Sequence, residues 1–274
     1  MGSKKRAYLT VISWPDSVDE EGRIDALVNC AGIDLYQARL GSRRNTPGIM
    51  CILNAAMRER ALGAIHQQGI MAIAPTRAEI EDYPRAQVAR GVDQFPDTDP
   101  PAFCVDDPKG GAWTFNADRV RLAVYGHVSA TSKSYETDER AVGGMLSIEN
   151  AAMNAAAGNL VRTDRTTRLI EVLDLHISTG RGVRLVRLIG PRARIGILGD
   201  EYQRPSLLND AKATELVQLL MPGAEVDRGF RDFDPPGDLR ARAMGSGGST
   251  ELTMGCWAFY SAWLGLIKQS IRSW

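Results

Sequence analysis

The sequence predicts an α/β (α+β) protein in two parts: a small N-terminal α/β sandwich, then a mostly antiparallel sheet carrying helices. Three observations carry this. β-forming runs and helix-start signals alternate through the first eighty residues; a Pro- and Asp-rich stretch follows; beyond it, long apolar runs flank a short polar turn. The 274 residues are 44% hydrophobic and 24% charged, which is a globular composition with length for one large or two small domains. Lys plus Arg and Asp plus Glu number 33 each, so the balanced charge offers no overall pull toward nucleic acid or anionic lipid.

The first part reads residue by residue. "AYLTVIS" (Ala7 to Ser13) is rich in β-formers and stops before Pro15, hence a strand. Ser17 and Glu20 match a capping box, and Ile24, Leu27, Val28 and Ala31 recur at helical spacing up to Gly32. "DLYQARLG" (Asp34 to Gly41) adds another short helix, and "GIMCILN" (Gly48 to Asn54) is a buried strand. Asn54 caps a helix whose Met57, Ala61, Ala64 and Ile65 share a face, with Gly69 as its stop. "IMAIAP" (Ile70 to Pro75) completes the unit. Strand, helix pair, strand, helix, strand over 1–80 make a sandwich with helices on one sheet face. That order, with "GIDLYQARL" and "GAIHQQGIMAIA", resembles the C-terminal domain of the bacterial ribosomal stalk protein over about a quarter of the chain. The lysine-rich helix of that family is missing, so no functional residue carries over.

Pro and Asp crowd residues 81–111, a linker composition that sets the domain boundary. The second domain, 112–274, opens with a strand carrying Val120, Leu122, Val124 and Val128 on one face. "TRLIEVLDLHISTGRGVRLVRLIG" reads as two strands around "STGRG", with "RIGIL" as a third. Residues 136–160 form an Ala- and Gly-rich excursion, Ser206 caps a helix, and 233–250 is flexible by composition.

The motifs exclude more than they assign. "GRIDALVNCAGID" (Gly22 to Asp34) resembles a segment of short-chain dehydrogenases. No glycine-rich turn precedes it, however, and no tyrosine has lysine four residues on, so no nicotinamide or other cofactor is expected. His66, His127 and His176 lie outside ligand spacing, and Asp97, Asp99, Asp106 and Asp107 are broken up by prolines, so no metal is expected. "GSGGST" (Gly245 to Thr250) lacks the lysine of a phosphate loop, and no G-x-S-x-G elbow occurs. Arg162, Arg165, Arg168, Arg181, Arg184, Arg187, Arg192 and Arg194 cluster, but Asp164, Glu171 and Asp174 dilute them into a solvated sheet face rather than a nucleic-acid grip. Cys30, Cys51, Cys104 and Cys256 give neither a disulfide framework nor a zinc pattern. No secretory signal is legible, so the expected location is the cytoplasm.

The last helix is strongly apolar. Trp257, Tyr260, Trp263, Leu264, Ile267 and Ile271 form a stripe, flanked by Phe259. Its uncharged run is too short for a bilayer. Trp257, Phe259, Tyr260, Trp263 and Trp274 are therefore the expected interface for a protein partner or a second copy. The expected function is that of a non-catalytic interaction or scaffold protein with no assigned catalytic residue. The alternative is an enzyme whose site gathers scattered polar residues such as Asp174, His176 and Arg184.

Overall fold

The computed structural model describes residues 6–95, 98–106, 111–135, 163–189, 194–195, 214–215, 217–219, 221–237, 239 and 253–271. The protein is α+β. The first unit comprises β1 (Arg6–Ser13), α1 (Glu20–Ala31), α2 (Leu35–Ser42), β2 (Gly48–Asn54), α3 (Arg58–Gln67) and β3 (Met71–Ile73). Its sheet has the order β2-β1-β3, both neighbours antiparallel to the central strand. Alternation along β1 decides its packing. Ala7, Leu9 and Val11 point to α1 and α3, where Leu27 and Ile65 complete a core, while Tyr8 and Ile12 point to the opposite side.

Local chemistry sets the helix ends. The α1 cap is Asp19, not Ser17: its carboxylate accepts from Gly22 N at 2.8 Å, so the helix starts at Glu20. Gly32 ends it with φ of 67°, a left-handed conformation that a Cβ would disfavour. Asn54 caps a 3-10 turn, Ala55–Met57, that leads into α3.

The segment 81–111, expected as linker, is instead largely structured, which corrects the sequence reading. A capping box of Thr76 and Glu79 starts α4 (Arg77–Asp82), and β4 (Gln87–Ala89), β5 (Gly91–Phe95) and β6 (Ala102–Asp106) follow. The prolines mislead because they sit between these short elements: Pro84 before β4, Pro100 and Pro101 before β6. β7 (Ala112–Asn116), β8 (Val120–Tyr135), β9 (Thr163–Thr179), β10 (Gly182–Ile189), β11 (Arg194–Ile195) and β12 (Glu225–Asp227) complete the strands. They form a sheet β12-β8-β9-β10-β4 and a smaller one β11-β5-β6-β7. Pairing is antiparallel except for β4 on β10, β11 on β5 and β12 on β8.

The two C-terminal sheets share a core in which Phe103, Val105 and Phe115 meet Ala123, Leu173, Leu175 and Val186. Val120 belongs there too, not beside Leu122, Val124 and Val128 as expected. The register shift between Val120 and Leu122 turns it to the other face. The remaining face of the large sheet packs on α5 (Met254–Ile271). The far side of α5 meets Tyr8 and Ile49 of the N-terminal unit, so one helix is the wall between two sheets. No helix among the described residues is long and apolar enough to cross a membrane.

Candidate functional site

The expected interface residues are core residues, which corrects the sequence reading. Trp257 is fully buried, and Phe259, Tyr260 and Trp263 are at most 5% exposed. Tyr8 meets Phe259 edge-on at 5.0 Å between centroids, Phe230 meets Trp257 at 4.8 Å, and Phe233 meets Tyr260 at 4.8 Å. The physical reason is that a helix apolar nearly all round must be covered on more than one side, and two sheets do this within the chain. Trp274 lies outside the described residues.

Each polar tip in this aromatic layer has a partner. Trp263 Nε1 donates to Thr10 Oγ1 at 2.9 Å, and Thr10 donates onward to the Tyr8 carbonyl. Tyr260 donates to Asp227 Oδ1 at 2.6 Å, and burial together with that carboxylate pushes its phenol pKa up. Trp257 Nε1 donates to Asp174 Oδ2 at 3.0 Å.

Asp174 is where the polar residues converge. It lies opposite Arg187 on β10, and the guanidinium grips it through Nε and Nη2, each at 2.7 Å. Both side chains are buried, so the pair stands only because the carboxylate collects three donors. Two residues along β9, His176 points to the same face. Its Nδ1 meets the Tyr83 hydroxyl at 2.8 Å and its Nε2 meets Ser261 Oγ at 3.0 Å. Burial first, then the Arg187 charge, lowers the His176 pKa to about 4, although Asp174 pulls the other way. Burial likewise raises the Tyr83 phenol pKa.

The sequence brought forward Asp174, His176 and Arg184, and the structure unites the first two only. Arg184 is on the opposite face of β10, where its guanidinium stacks over Trp113 at 4.1 Å. Arg187 takes its place. Tyr83 and Ser261 complete the cluster, and neither stands out in the sequence.

Ser261, His176 and Tyr83 resemble a nucleophile with its base and orienting group, and two features weigh against that use. In the tautomer where the Tyr83 phenol donates to Nδ1, the imidazole hydrogen sits on Nε2, aimed at Ser261. A base for serine needs a lone pair there. Ser261 is also fully buried in the middle of α5. The cluster is a satisfied polar clasp that joins β9, β10, α5 and the residue after α4.

No group of three or more potential metal ligands occurs among the described residues. His66 bonds the Ala72 carbonyl at 2.8 Å, and His127 lies 3.8 Å from Glu171. Asp97 and Asp107, the segments 136–160 and 245–250, Ser206, and the side chains of Arg162, Arg165, Arg168, Arg192 and Arg194 lie outside the described residues. The four cysteines are free thiols. Among the surface grooves are one of about 270 Å³ between α4, β10 and α5, and larger ones of about 340 Å³ where α2 meets β2 and about 400 Å³ between β7 and the β9–β10 turn. No protein-family model, no curated protein and no solved structure matches the chain.

Proposed function

We propose that this chain is a non-catalytic interaction protein of the cytoplasm that works through protein–protein contacts made by α2 and the adjoining strand β2. One observation carries the reading. Leu35, Tyr36 and Leu40 of α2 are 51%, 72% and 50% exposed, and Ile52 of β2 is also exposed. Leu40 and Ile52 line the same groove, beside Pro235 and Pro236. Large apolar side chains gathered beside a concave surface are the usual composition of a contact site, with tyrosine a favoured anchor. The α2 face thereby takes the part that the sequence suggested for the aromatic helix. Free thiols suit a reducing compartment.

The test is a photo-crosslinking amino acid introduced at Tyr36 in the intact chain, with Glu21 on the exposed side of α1 as control. Illumination in cells should yield a discrete adduct from position 36 and none from 21. Light scattering of the purified protein tells whether the neighbour is a second copy. Equal, diffuse adducts from both positions would overturn the reading.

A second reading, an enzyme using the Tyr83–His176–Ser261 cluster, has one observation in its favour: the smaller groove reaches Tyr83 and Arg187. Labelling of Ser261 by a fluorophosphonate in the native protein would establish it. The full burial of Ser261 in α5 leads us to expect no labelling.

A further inference from the structure

The smaller groove has a chemistry of its own. Its floor is Leu185 and Arg187 of β10, one wall is α4 with the loop to β4, and the other is α5. The α5 wall is low because Gly255, Ala258 and Ala262 present almost no side chain there. Ile80, Ala86 and Phe259 make the remaining surface largely apolar.

Three arginines line this space, and their partners decide what it can hold. Arg77 pairs with Glu81 at 2.6 Å, so those charges cancel. Arg187 spends Nε and Nη2 on Asp174, which cancels its charge too. Its Nη1 meets only the Met254 sulfur, at 3.6 Å, a weak acceptor. Arg187, only 7% exposed, thus keeps donor capacity on the floor of the groove. Arg85 stands exposed at the rim, and among the described residues no carboxylate pairs with it. Among the described residues, the groove therefore has largely apolar walls, one uncancelled positive charge and unused guanidinium hydrogens.

We infer that the groove between α4, β10 and α5 binds a small amphipathic monoanion, a carboxylate on a short apolar body. The carboxylate takes Arg85 and the spare Nη1 hydrogen of Arg187, and the apolar part lies along Ala258, Leu185 and Phe259. One net positive charge matches a carboxylate better than a phosphate, which carries nearly two negative charges at neutral pH. About 270 Å³ is at the small end of ligand sites. The inference is independent of the α2 contact face, which lies elsewhere on the chain.

The experiment is isothermal titration of the full chain with sodium octanoate, with 1-octanol as the neutral counterpart and inorganic phosphate as the competing anion. Saturable octanoate binding is expected, with octanol at least tenfold weaker and phosphate failing to compete. Arg85→Gln should weaken octanoate at least fivefold, and Ala258→Leu, which fills the groove from an exposed helical position, should abolish binding. Circular dichroism checks the helicity of both variants. If Ala258→Leu loses helicity, Arg85→Gln at its exposed site decides alone. Absence of saturable binding, equal affinity of Arg85→Gln and the parent, or displacement by phosphate would each overturn the assignment.

Discussion

An alanine at Gly265, in the middle of α5, gains about 1 kcal/mol from helix propensity alone. The surroundings oppose it. A Cβ built there falls well inside contact distance of Tyr83 Oη and Cζ, and 2.9 Å from His176 Nδ1. Tyr83 must move, and with it goes the 2.8 Å bond to His176. Forcing atoms into a packed core costs about 1–3 kcal/mol. Leaving buried hydrogen-bonding groups unmet costs about the same again. After the propensity gain, Gly265→Ala should destabilise by about 3 kcal/mol, a Tm fall of about 6–12 °C for a chain of this size. Gly255 supplies the control in the same helix. A Cβ there meets only Thr253 Oγ1, at 3.6 Å, so Gly255→Ala should be neutral or stabilise by about 0.5 kcal/mol. Urea titration followed by tryptophan fluorescence reads both variants, since Trp257 and Trp263 sit in this core. A Gly265→Ala protein at least as stable as the parent would refute the packing argument at its most specific point.

Three further outcomes follow from the same cluster and its surroundings. His176 has a folded pKa of about 4 against an ordinary 6.5, so between those values the unfolded chain binds the extra proton and stability falls as pH drops from 6.5 toward 4. The loss is complete below 4 and amounts to about 3 kcal/mol; His176→Gln should flatten this part of the profile, and an unchanged slope would count against it. Asp174→Ala strands the Arg187 guanidinium and the Trp257 N–H and should cost about 3–5 kcal/mol, whereas Asp174→Leu with Arg187→Met should recover most of that in chemical denaturation. Finally, residues 1–80 were expected to fold as a separable unit, yet Tyr8 and Ile12 pack in a core that α5 completes. The fragment alone should bind a hydrophobic dye, and added peptide 253–271 should suppress the signal; a dye-silent, cooperatively folding fragment would favour separability.

Local signals were legible in the sequence. β2 occupies the expected residues Gly48–Asn54, and Gly32 ends α1 as its position suggested. The turn "STGRG" was legible too, and it held more than was taken from it. Pairing Thr179 with Gly182 across a two-residue turn places Asp174 opposite Arg187, not Arg184. Alternation then puts His176 on the face of Asp174. The rest was not local. Tyr83 and Ser261 reach His176 from 93 and 85 residues away, and no spacing in the chain announces such a meeting. The aromatic stripe of α5 shows that it must be covered, but not whether by its own chain or by another. The linker reading failed for a related reason, because proline marks a break without telling whether the broken pieces pair.

The place of α5 in the chain has a consequence for synthesis. It follows every other described element, and the Trp263–Thr10 bond spans 253 positions. A ribosome therefore delivers both sheets before the wall they share. Until then Tyr8 and Ile12 on one side, and Val124, Val128 and Val172 on the other, lack the helix that completes their core. Contacts of such sequence separation form late and slowly. A nascent or prematurely terminated chain would display an open apolar slot with two faces, the kind of surface that chaperones and proteases sort by, so a stop codon anywhere before residue 253 should remove the whole protein rather than shorten it.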